Sequence, residues 1–149
     1  MLKKFLFLTL IGFCLSFTSL AQKTVVTDNK AKAMLLGKHK ISLQWISWDY
    51  FGTATVTNKR GVFYLKGKQN QQNGQNFVQI EGKITKINSK DFTFVGKIIT
   101  QIDHINSGNP CTRNGEMTFR ITGKRKYWRL MQIDNPCDGV ADYVDIYFR

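Results

Sequence analysis

The side chains best suited to chemistry in this chain are rings and amides gathered at a few places. Trp48, Tyr50 and Phe51 stand close together, and clustered rings of this kind hold sugars or apolar molecules. Gln69 to Asn76 reads Gln-Asn-Gln-Gln-Asn-Gly-Gln-Asn, a run of paired amide donors and acceptors suited to hydroxyls or peptide edges. Gln72 and Asn73 lie at its centre, and His104 stands in a further polar segment. Trp48, Tyr50, Phe51, Gln72, Asn73 and His104 are the candidate ligand contacts. A second group is cationic: Lys59-Arg60 and Lys124-Arg125-Lys126 suit surfaces bearing phosphate, sulfate or carboxylate.

Catalytic constellations are missing. The histidines are His39 and His104, and neither Gly-x-Ser-x-Gly nor His-Glu-x-x-His occurs. The glutamates Glu81 and Glu116 lie in separate segments, with no motif to set them face to face for glycosidase work. The sequence predicts a non-enzymatic protein with no cofactor and no metal. Asp134, Asp138, Asp142 and Asp145 gather negative charge in a basic chain, but their spacing fits no EF-hand loop. Asp138 and Asp142 read as turn caps, and Asp145 as facing solvent or pairing with a lysine. Tyr127, Trp128 and Arg129 beside the basic run have the composition of a nucleic-acid stacking site, which an exported protein has little use for, so no specific nucleic acid is expected.

Export follows from the first residues. Lys3 and Lys4 precede an apolar stretch, Phe5 to Phe17, that is too short to span a bilayer. Ser19-Leu20-Ala21 supplies small residues where signal peptidase reads, placing a signal peptide at 1–21 and a mature chain from Gln22, delivered to the periplasm or beyond. A lipid-anchored alternative at Cys14 needs a small preceding residue, and Phe13 is large. Two of the 22 Lys and Arg leave with the signal, so 20 face 10 Asp and Glu in the mature chain, a net charge of +10. Such an excess draws a protein to anionic surfaces or keeps it soluble. Cys111 and Cys137, an even pair in an oxidising compartment, predict a disulfide.

The elements that must position these groups are almost all strands. Residues 22–37 read as a loose arm and a short helix, capped by Asp28 and stopped by Gly37. Residues 38–149 then form one domain of about eight strands. Ile41, Leu43 and Trp45 alternate inward, as do Val78, Ile80 and Ile84, then Phe92, Phe94 and Ile98, then Met117, Phe119 and Ile121, and finally Val144, Ile146 and Phe148. Regular short strands joined by hairpin turns predict an all-β antiparallel meander barrel. Alternate connections of a meander share an end. The turns at 58–61, 88–91 and 123–126 are short and basic, whereas those around 48–51, 68–76, 104–115 and 134–141 are long, and both mature cysteines fall among the long ones. Binding sites favour long loops on a rigid scaffold, so the long-loop end is the candidate mouth.

A short helix, a Gly-led first strand with a tryptophan nearby and eight meandering strands resemble the lipocalin-like, or calycin, barrels. Gly37 is followed by Lys38-His39, with Trp45 further on, in place of that family's Gly-x-Trp. The resemblance implies a barrel able to hold a small apolar molecule, and a basic residue, Arg129 or Arg149, packed over the first-strand tryptophan. The expected function is thus an exported binding module taking a small apolar or glycan ligand at the long-loop end. The alternative is an inhibitor or cell-envelope interaction protein that uses the same loops on a protein partner. An open lumen favours the first and a filled one the second.

Overall fold

The computed structural model describes residues 22–149, so the signal peptide read at 1–21 lies outside the described residues. Nine strands occur: β1 (Val25–Val26), β2 (Gly37–Leu43), β3 (Gly52–Lys59), β4 (Val62–Asn70), β5 (Phe77–Ile87), β6 (Asp91–Gln101), β7 (Cys111–Arg120), β8 (Tyr127–Leu130) and β9 (Val144–Tyr147). From β2 to β9 each strand pairs antiparallel with the next, and β2 closes on β9 through Ile41 opposite Ile146 and Leu43 opposite Val144. The result is the expected eight-stranded barrel. β1 is additional and runs parallel to the end of β5. It was read as a loose arm, yet the Thr24 hydroxyl donates to the Ile84 carbonyl and the Thr27 hydroxyl to that of Ile87. Two side-chain hydroxyls therefore fasten a segment whose apolar content is too small to announce a strand.

The lumen is filled with side chains. Leu65, Ile80, Phe94, Ile98, Phe119, Val144 and Ile146 have no surface accessible to water, although a water-sized void would expose its walls. Phe92 stacks on Phe119 at 5.1 Å between centroids, Phe94 meets Phe119 edge-on, and Trp128 packs against Phe92 and Phe148. Gly82 and Gly96 face each other across β5 and β6, and a Cβ on either would come within 2.7 Å of the Phe94 ring. Even a methyl group finds no room there. Eight strands enclose a lumen that side chains can fill completely or leave open for one small molecule, and this chain fills it.

Two expectations change at the tryptophans. β2 ends at Leu43, so Trp45 is only partly buried at the barrel rim. Trp128, read as a stacking residue, lies 2% exposed inside the lumen because strand alternation turns it inward and leaves Tyr127 and Arg129 outside. Neither arginine matches the expected partner of Trp45: Arg129 lies over the rings of Tyr143 and Tyr127, and Arg149 lies against Gly37.

The helix α1 (Asn29–Leu35) closes the short-turn end. Asp28 accepts the Ala31 amide at 2.6 Å, and Ala31 and Leu35 join the core. Two turns are too short to be helical alone, so this packing holds them. Gly37 follows at φ +108°, a conformation that side-chain-bearing residues rarely adopt.

Candidate functional site

The long-loop end is laced rather than open. Asp142, 1% exposed, accepts Trp45 Nε1 at 3.0 Å, Arg113 Nη1 at 2.8 Å and Asn135 Nδ2 at 2.9 Å. Arg113 projects inward from β7 and also donates to the carbonyls of Ile133 and Asp134. Sequence placed residues 111–115 in a loop, because a buried arginine interrupts the apolar alternation that marks β7 from Met117 onward. Gln69 donates to the Tyr50 carbonyl and accepts the Leu43 amide, and Asn76 accepts the Asp103 amide. The Cys111–Cys137 disulfide ties the start of β7 to the loop before β9.

The six candidate contacts are divided by this lacing. The Tyr50 hydroxyl accepts the Gln72 amide at 3.1 Å, so those two come together, with Asn73 exposed beside them. Trp48 remains 53% exposed. His104 is exposed, edge-on to Trp45, with Nδ1 2.7 Å from Asp103. That hydrogen bond holds the Asp103 carboxyl below its ordinary value. Phe51 turns onto the outer wall, where its ring meets Tyr147 at 5.0 Å and Lys40 Nζ lies 5.1 Å above it.

The acidic residues are dispersed. Asp138 caps the amides of Asn106 and Gly139, which lower its pKa. Asp145 was expected to face solvent or a lysine; instead it is inaccessible to water and held by Arg129 through two contacts of 2.7 Å. Arginine succeeds here because its planar fork matches a carboxylate. Among the described residues no group of three or more His, Cys, Asp or Glu could hold a metal ion.

The basic turn residues are also separated. Lys59 ends β3 and Arg60 stands in the turn to β4, while Lys124 to Lys126 lie between β7 and β8, half the circumference away in an eight-stranded ring. The outer wall of β2 to β4 carries further charge. Inward Ala54 and Val56 leave Thr53, Thr55 and Thr57 pointing outward on β3. That short-hydroxyl row is flanked by Lys38 and Lys40 on β2 and by Lys66 and Lys68 on β4, in the register Lys38, Thr55, Lys66 and Lys40, Thr53, Lys68. Of these four lysines, Lys66 alone has a salt-bridge partner among the described residues, Glu81 at 3.5 Å. Neighbouring strands lie about 4.8 Å apart, so the two lysine rows stand roughly 10 Å apart across the threonines. Sequence reasoning missed this face because it sought charge in turns, although the outward half of the same alternation carries it.

An eight-stranded up-and-down barrel with a packed lumen, a tethered rim and a cationic wall is a scaffold whose available chemistry lies outside. The chain belongs to the PM1083 family, which it matches over residues 23–148. It is similar to the "Uncharacterized protein PM1083" of Pasteurella multocida (strain Pm70), 43% identical over 148 residues that span 97% of this chain and 95% of the relative. No solved structure matches significantly. Of the lipocalin-like expectation, the eight-stranded antiparallel barrel is the part that stands. No helix among the described residues is long and apolar enough to cross a membrane.

Proposed function

We propose that this chain is an exported binding module that attaches to an anionic component of the cell envelope through its outer wall, and not a carrier of ligands in its lumen. The observation behind the reading is the threonine row of β3 between the lysines of β2 and β4, a local excess of positive charge with one carboxylate partner among the described residues. The disulfide and the leader sequence support export. The test is retention on phosphatidylglycerol vesicles and on acidic polysaccharide, against phosphatidylcholine vesicles, at low and physiological salt. Retention on the anionic supports should fall with salt. Replacing Lys38, Lys40, Lys66 and Lys68 with Gln should abolish it without lowering the melting temperature, since exposed charges contribute little to stability. Equal retention on neutral vesicles, or none anywhere, overturns the reading.

A second reading, a protein partner docked at the long-loop end, is favoured by Trp48, a large ring left 53% exposed on a rim whose neighbours are held by hydrogen bonds. It predicts that Trp48→Ala weakens capture of that partner while the protein stays on anionic supports.

A further inference from the structure

On the outer wall, one groove brings four cations together with two aromatic rings. An open groove of about 630 Å³ runs along β2 and is lined by Phe51, Tyr147, Lys38, Lys40, Lys126 and Arg149 among others, with no aspartate or glutamate side chain in the lining. The strand register explains the meeting. Ile41 faces Ile146, so one step on Lys40 lies beside Tyr147, and two steps further Lys38 lies beside Arg149. The Phe148 amide donates to the Lys126 carbonyl, which brings the β7–β8 turn against the same edge. None of the four cations forms a salt bridge among the described residues.

The groove is held in shape. Arg149 donates to the Ala33 carbonyl at 2.9 Å and packs where Gly37 has no side chain; a Cβ there would stand 3.2 Å from its guanidinium. Tyr147 is fixed by Phe51 on one side, Tyr127 on the other and Ser42 at its hydroxyl, 3.2 Å away. Burial pushes the Tyr147 pKa upward, so its hydroxyl remains neutral. The nearby carboxylate, Asp145, is consumed by Arg129. The groove therefore joins two aromatic rings, set at 70° to each other, to four cations that form no salt bridge among the described residues, with the Thr53 hydroxyl at its side.

We propose that this groove binds an acidic sugar, a pyranose bearing phosphate or carboxylate, with its C–H groups against the accessible edges of Phe51 and Tyr147 and its acid group among Lys38, Lys40, Lys126 and Arg149. The inference rests on the envelope-binding reading and assigns the site of it. Aromatic rings offer apolar surface to C–H groups, and two rings are too small to seat in a bilayer while matching a sugar ring or two. A bare phosphate would use the cations alone and a neutral sugar the rings alone.

Chemical-shift titration of the isotope-labelled protein tests this with oligogalacturonate and a phosphorylated glucosamine disaccharide as acidic sugars. Maltohexaose, inorganic polyphosphate and oligothymidylate serve as the neutral-sugar, bare-charge and nucleic-acid controls. The two acidic sugars should shift the amides of Lys38, Lys40, Phe51 and Tyr147, and bind more tightly than all three controls. A response to the phosphorylated sugar alone assigns a lipid-type sugar phosphate as the source, and to the carboxylated sugar alone an acidic polysaccharide. The K40Q/K126Q variant should weaken binding about tenfold or more, and Phe51→Leu, which keeps apolar packing but removes the ring, should weaken it several-fold. Lys83→Gln with Lys97→Gln, exposed on β5 and β6 away from the groove, should leave it unchanged. Polyphosphate or oligothymidylate binding the groove as tightly, shifts spread over all lysines, or an unaffected Phe51→Leu overturns the inference. If groove variants lose nothing while salt-sensitive retention on anionic supports persists, the groove assignment fails and the envelope reading stands; loss of that retention in the unmodified protein defeats both.

Discussion

The two ends of the barrel are closed by opposite chemistries. At the short-turn end α1 inserts Ala31 and Leu35 into the core, an apolar plug. Its polar contact with the strands is His39, whose Nε2 lies 2.7 Å from the Leu35 carbonyl and Nδ1 2.9 Å from that of Tyr147. At the long-loop end closure is polar: one buried carboxylate, Asp142, collects Trp45, Arg113 and Asn135 from separate segments. The comparison teaches that loop length does not measure openness. A plug needs a few apolar residues, whereas satisfying buried donors and acceptors around a rim needs enough chain to bring partners to each of them.

The comparison can be broken by removing the centre of each closure. Asp142→Ala leaves Arg113, 7% exposed, without its counter-charge and should cost about 4 kcal/mol in denaturant unfolding. A variant as stable as the parent would mean that the rim is not held by this network. Leu35→Ala deletes the buried plug residue and should cost about 3.5 kcal/mol, with amide exchange accelerated throughout α1 and the start of β2. Reduction of the disulfide frees a loop of sequence separation 26 and should lower stability by about 3 kcal/mol, loosening the long-loop end first. Trp48→Ala should change stability by less than about 0.5 kcal/mol, because the ring is mostly in water. A loss as large as that of a core residue would assign Trp48 to the rim's structure and remove the case for a partner there.

Acid sharpens the same contrast at its weakest point. Asp138 and Asp103 have carboxyls depressed by hydrogen bonds, to the Asn106 and Gly139 amides and to His104 respectively. A folded pKa below the unfolded one stabilises above the ordinary carboxylate range, and that contribution disappears as pH falls through the folded value. Amide protection at Asn106 and Gly139, taken relative to the intrinsic exchange rate at each pH, should fall in acid before that of α1. An equal fall at both ends would show that the two closures share one acid response.

The barrel was legible because its lumen is apolar and strand periodicity is two: Phe92, Phe94 and Ile98, or Val78, Ile80 and Ile84, mark their face without ambiguity. The helix was legible for a local reason, the Asp28 cap and the Gly37 stop. β1 was not, since two valines tethered by threonine hydroxyls leave no pattern. Neither was the first half of β7, where Arg113 takes an inward position that Asp142, 29 residues on, and the carbonyls of Ile133 and Asp134 make tolerable. The groove was illegible for a topological reason. Phe51, Lys38 and Lys126 meet because β2 closes on β9, and no local stretch of sequence contains that meeting.

That closure also bears on the speed of assembly. The ladder that pairs Ile41 with Ile146 joins the most distant partners in the ring. Contacts of such long sequence separation demand loop-closure entropy before they return any stability, which places barrels of this topology among the slow folders, on the scale of milliseconds to seconds. The wall that carries the groove is the seam of the ring. A chain lacking β9 would keep seven of its eight barrel strands and have neither a closed circumference nor a Tyr147 on which to build the surface proposed to meet the envelope.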